Sequence, residues 1–157
     1  MDPRCEPTQF LGGGIRFGVV KNAGGRATSD AIRSILILRS LSTVSEGGTV
    51  AVIHHTGKYG PLIGRWKLLV TVQMLILPTD CGMVHLNDEG IKNDIRKRTP
   101  AEASRGSAID FGTFGADEFE DIIRKDVQTL KDEKMLQGMD ILGFAFITET
   151  GELKPVV

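Results

Sequence analysis

Cysteine is scarce in this chain, with two residues, Cys5 and Cys81, among 157. Two thiols cannot form a disulfide framework, so stability must come from a buried apolar core, and a reducing, cytoplasmic setting is expected. Aromatic residues are also few, at 6%, and the single Tyr (Tyr59) and single Trp (Trp66) both fall between residues 57 and 79. Neither sign of charge is in excess: 19 Lys and Arg stand against 20 Asp and Glu. The net charge of −1 therefore gives no electrostatic reason to expect a nucleic-acid or anionic-membrane partner. Long apolar runs are missing as well. Leu68 to Leu77 is too short to span a bilayer and is broken by Thr71 and Gln73, so it reads as a buried or aggregation-prone strand. The opening Met1-Asp2-Pro3-Arg4-Cys5-Glu6-Pro7 is charged and proline-bearing, unlike a secretory signal. What remains is ordinary globular content, 41% hydrophobic, enough for one core and one domain.

Periodicity and punctuation predict an α/β order. Met1 to Gly14, with two prolines and three successive glycines, reads as a loop; Phe17 to Lys21 is expected to be a short buried strand followed by a glycine turn, Asn22-Ala23-Gly24-Gly25-Arg26. Thr28, Ser29 and Asp30 are N-cap types, and Ala31, Ile32, Ile35, Leu36, Leu38 and Leu41 recur at helical spacing, which predicts a helix from about Ser29 to Leu41. Thr49 to His54 is a β-branched apolar run of the kind buried in parallel sheets. Asn87-Asp88-Glu89 starts a helix that ends near Arg98, before Pro100. Residues 101–114 are expected to be loop. Ala116-Asp117-Glu118 opens a helix whose apolar face is Phe119, Ile122, Ile123, Val127 and Leu130. A strand from Asp140 to Ile147, a turn at Thr148-Glu149-Thr150-Gly151 and an extended end from Leu153 to Val157 complete the order. Strand, turn, helix and strand together imply a mainly parallel sheet flanked by helices.

One segment does not fit this pattern. Residues 57–79 carry three cations, Lys58, Arg65 and Lys67, and no acid. Lifting them out joins His55-Thr56 to Asp80-Cys81-Gly82-Met83, a His-x-x-Cys pair at a strand end, and this is a metal-ligand spacing. An imidazole and a thiolate three positions apart on a glycine-closed turn can reach one Zn²⁺. The same spacing selects His55 over His54, which reads as an ordinary strand-end histidine, while His85 reads as solvated.

Several stretches, in order, resemble the β-class carbonic anhydrases, in particular their short bacterial and fungal branch. They are Met1-Asp2-Pro3-Arg4, Lys21-Asn22-Ala23-Gly24-Gly25-Arg26, the divided His55-Thr56 and Asp80-Cys81-Gly82-Met83, Asp110-Phe111 with Phe114, Asp126-Val127 with Leu130, and Gly143-Phe144 with Thr150-Gly151-Glu152-Leu153. The resemblance covers nearly the whole chain apart from 57–79. It implies Zn²⁺ held by Cys, His and Cys, with His55 and Cys81 as two of the ligands. The remaining cysteine belongs to a Cys-x-Asp-x-Arg motif whose last two positions match Asp2 and Arg4, which places it one residue before Met1. The expectation is therefore a chain without the first central strand and carrying a retained intron at 57–79. By the resemblance Asp2 accepts a proton from zinc-bound water and in some resting forms binds the metal itself, while Arg4 orients it. Asn22, Ala23, Gly24 and Gly25 would line the substrate pocket. Where this chain has Lys21 the family has Arg, whose planar fork Lys lacks.

The activity implied is that of a zinc lyase, the reversible hydration of CO2 to bicarbonate, in a homodimer or higher homo-oligomer with no nucleic-acid or membrane partner. Two alternatives are a carbonyl sulfide or carbon disulfide hydrolase using the same chemistry, and a non-catalytic truncated product. The last follows from a site with two protein donors, which should hold zinc weakly.

Overall fold

The computed structural model describes residues 6–9, 11, 17–41, 48–56, 86–148 and 150–157. Helix α1 spans Ser29–Leu41, as its periodicity predicts. The Thr28 hydroxyl accepts a hydrogen bond from the Ala31 N–H at 3.3 Å, satisfying one of the donors that a helix start leaves open. Ala31 and Ile35, one turn apart, turn inward, whereas Leu41 stays exposed.

Strand β1, Thr49–Thr56, runs two residues past the end read from the sequence. It pairs in parallel with β2, Asp140–Ile147, in a register from Thr49 opposite Asp140 to Thr56 opposite Ile147. Burial of the consecutive residues Val52, Ile53, His54 and His55 shows both faces of β1 covered, as a parallel strand between layers requires. Strand β3, Glu152–Pro155, returns antiparallel to β2 after a turn in which Gly151 takes φ 74°. The described sheet thus has order β1-β2-β3, with one parallel and one antiparallel pair.

Between the first two strands lie α2 (Asp88–Arg98), α3 (Ala103–Ser107) and α4 (Phe119–Asp132). The Asn87 side chain caps α2 by accepting from the Gly90 N–H, and Arg96, Lys97 and Arg98 suit the negative end of its dipole. Helix α4 supplies the main layer on the sheet. Phe119, Ile122, Ile123, Val127 and Leu130 are all buried, and with Val52, Ile141 and Ala145 of the strands several of them form the larger core cluster. Ile53 and Phe146 form a smaller cluster.

Two sequence readings are corrected. Phe17 to Lys21 forms no strand: the run is irregular backbone, and a short apolar run alone does not specify pairing. Residues 101–114 are not all loop, since a 3₁₀ turn at Pro100–Glu102 leads into α3. Proline is preorganised for a first helical position, and Gly106 lets α3 approach α2 so closely that a Cβ there would lie 2.8 Å from Ile95 Cγ2. That contact between helices left no periodic signal in the sequence.

Candidate functional site

The carboxyl end of β1 is where the predicted residues that are described come together. His54 and His55 are both wholly buried there. Side chains alternate along a strand, so neighbouring histidines must point to opposite faces of the sheet. His54 faces α4. Its ring meets Phe119 edge-on, with centroids 6.3 Å apart, and its Nε2 lies 3.6 Å from Asp126 Oδ2. The pleat therefore turns His55, opposite Phe146 in the register, to the other face.

The turn predicted to line the pocket reaches this strand end through Gly25, whose carbonyl acts on the His54 ring. Ala23–Gly25 forms one 3₁₀ turn entered from an extended Asn22, with Gly24 at φ 74° and Gly25 at φ 60°. Those left-handed conformations strain any residue with a Cβ, which accounts for the glycine pair. Both glycines are buried, whereas Ala23 is exposed. The Asn22 amide donates from Nδ2 to the Arg26 carbonyl at 2.8 Å, closing the turn, while its Oδ1 is buried with no hydrogen-bond partner among the described residues.

Behind the turn stands a charged group that sequence reasoning left without a role. Asp126, on the sheet-facing side of α4 and 2% exposed, accepts from Arg26 Nε on both oxygens at 3.1 Å and from the Ala27 N–H at 3.2 Å. Arg26 also donates from Nη1 to the Gly112 carbonyl at 3.0 Å. The loop containing Gly112 is tied in turn to α2, where Asp88 accepts from the Thr113 hydroxyl at 2.8 Å and from the Phe111 N–H at 3.3 Å. The Thr113 hydroxyl, foremost among these contacts, holds the Asp88 carboxyl below its usual range.

Burial and charge act together on His54. Desolvation, followed by the Arg26 guanidinium, pushes its pKa down to about 3, so the ring is neutral near pH 7. The Gly25 carbonyl acts in the opposite direction, but no hydrogen-bond geometry is reached at either ring nitrogen among the described residues. Desolvation likewise raises the pKa of Asp126, against the charge of Arg26 and the bonds from Ala27 and Arg26. A sign of this cluster was present in the sequence: Asp126 interrupts the apolar stripe of α4 between Ile123 and Val127, and a carboxylate there must find a cation or lose its charge.

Of the predicted site residues, His55 and Asn22, Ala23, Gly24 and Gly25 are described; Asp2, Arg4 and Cys81 lie outside the described residues, as does the segment 57–79. Among the described residues no three His, Cys, Asp or Glu side chains are placed to hold a metal ion. His55 is the one predicted donor at hand. A buried imidazole at a strand end suits Zn²⁺, but one imidazole falls short of the three or four protein donors that zinc requires.

The sequence matches no family model and no curated protein. Solved structures do match. Carbonic anhydrase from Streptococcus mutans is similar at 24% identity and TM-score 0.70, over 100% of this chain and 77% of that one. Carbonic anhydrase from Glaciozyma antarctica is similar at 26% identity and TM-score 0.70, over 100% of this chain and 78% of that one. A carbon disulfide hydrolase in its apo form is similar at 22% identity and TM-score 0.61, over 99% of this chain and 74% of that one. The protein is thus an α/β chain with a small mixed sheet flanked by helices. It shares its fold with the carbonic anhydrases and the related carbon disulfide hydrolase, the group its sequence resembles.

Proposed function

We propose that the chain is a carbonic anhydrase-type zinc lyase acting on CO2 and bicarbonate. The observation that carries this reading is the match of the whole chain to carbonic anhydrase structures at TM-score 0.70. His55 and Cys81 would hold the metal, with Asp2 as a further ligand in a resting form. Bound Zn²⁺ supplies Lewis acidity that brings the ionisation of water close to neutral pH. The rest falls to the protein's own groups. Asp2, oriented by Arg4, accepts a proton, because an aspartate held by a guanidinium fork stays ionised. The Asn22–Gly25 turn would line the pocket, where two missing side chains would leave space for a small linear substrate. The resemblance adds a homo-oligomer with the pocket near its subunit interface.

The likeness to a carbon disulfide hydrolase supports a second reading in which the same site hydrolyses carbonyl sulfide or carbon disulfide. Zinc stoichiometry on the purified protein, followed by stopped-flow assays on CO2 and on carbonyl sulfide, tests both. The expected result is weakly held zinc and, with zinc supplied in excess, CO2 hydration, with His55→Ala losing both. Protein that retains no zinc and hydrates nothing would sink the reading and leave a non-catalytic product.

A further inference from the structure

The Arg26–Asp126 pair joins residues 100 positions apart, and it is buried where an ion pair is costly. Replacing such a pair with apolar residues is often neutral or stabilising, so stability alone gives no reason for one here. Its geometry offers another. The carboxylate holds two successive residues, Arg26 through its side chain and Ala27 through its backbone N–H, at the exit of the Asn22–Gly25 turn. The same guanidinium reaches the Gly112 carbonyl, so the turn exit is tied to α4 and to a second loop at once. The turn needs such restraint. Two consecutive glycines in the left-handed region have many other conformations open to them, and the bonds that close the turn from within, Gly25 N–H to the Asn22 carbonyl and the Asn22 amide to the Arg26 carbonyl, leave the turn exit to be held from outside.

We propose that Asp126 and Arg26 are positioning residues of the candidate site, a clamp that holds the Asn22–Gly25 turn against the end of β1 that bears His54 and His55. The clamp sets the shape of the pocket and takes no part in its chemistry. The carboxylate also lies beside the end of β1, with His54 Nε2 3.6 Å from Asp126 Oδ2 and the ring edge-on to Phe119, so one side chain touches both the turn exit and the strand end. The proposal rests on the reading of this turn as pocket lining, and its test must not depend on turnover.

The test is amide hydrogen exchange by NMR on the full chain in the presence of a chelator, for the protein as it is and for Asp126→Asn and Arg26→Lys. A hydrogen bond to a charged group lost from the clamp should raise exchange at Gly25 and Ala27 by about tenfold to a hundredfold, with β2 amides changing less than about threefold. Arg26→Lys, which keeps the charge but not the fork, should give a smaller rise than Asp126→Asn. Equal acceleration in the turn and in β2 would mark a merely structural pair and overturn the proposal, as would an unchanged turn. With zinc supplied, Asp126→Asn should raise KM for CO2 more than it lowers kcat; a fall in kcat at constant KM would place the pair in the chemistry and also overturn it. A chain that hydrates no CO2 counts against the proposed function alone, because the exchange comparison still decides the clamp.

Discussion

His54 is the residue at which burial most changes the chemistry. Its folded pKa, about 3, lies below the ordinary 6.5, so the unfolded chain binds the extra proton at intermediate pH. Stability from this group is therefore full above about pH 6.5 and falls as the pH drops toward the folded value. The groups facing it are Arg26 and Asp126. The raised pKa of Asp126 works the other way, returning stability as its carboxyl is protonated, so the contribution of His54 is read as a difference between variants. In a chelator, urea unfolding of the protein and of His54→Phe at pH 7 and pH 5 should show the wild-type chain losing about 2 kcal/mol more than the variant over that interval. Parallel loss in the two would mean that His54 is not neutral in the fold. None of this was legible from residue type, since a His-His pair at a strand end does not say which ring faces a helix.

At the scale of elements, the close packing of α4 on β2 turns on Gly143. A Cβ at that position would lie 2.7 Å from Ile123 Cγ2, 2.9 Å from Val157 Cγ1 and 3.0 Å from Val127 Cγ2. The same residue donates its N–H to the Val157 carbonyl at 2.6 Å and accepts from the Val156 N–H at 2.8 Å, so the backbone has little room to shift. Gly143→Ala should cost about 1–3 kcal/mol in a denaturant titration, and Gly143→Val more. A neutral Gly143→Ala would show that the helix can slide off the sheet at little cost. The elements themselves were largely readable. The spans of α1 and β2 and the buried face of α4 follow from hydrophobic spacing of 3.6 and from apolar runs between turn residues. Helix α3 was not readable, because it depends on Gly106 meeting Ile95 rather than on its own sequence.

For the molecule as a whole, no described helix is long and apolar enough to cross a membrane, and the likeness to carbonic anhydrase structures extends over the full chain. The reading of 57–79 as foreign to the fold leads to a third expectation. A variant lacking those residues brings His55 and Cys81 to metal-ligand spacing in the sequence and removes the stretch whose ends must meet before both can bind one ion. Its zinc affinity, measured by chelator competition, should exceed that of the full chain by about tenfold or more. Equal affinities would count against the segment as an interruption of the site.

Order and type of the principal helices and strands and the glycine turn reside in local patterns, and each could be read from one stretch of chain at a time. The pairing of Arg26 with Asp126, the contact of His54 with α4 and the approach of α4 at Gly143 could not. Each depends on residues far apart in the chain meeting in a dry interior. There desolvation and close contact, which leave no local periodicity, determine which groups stay charged and which backbone can come near.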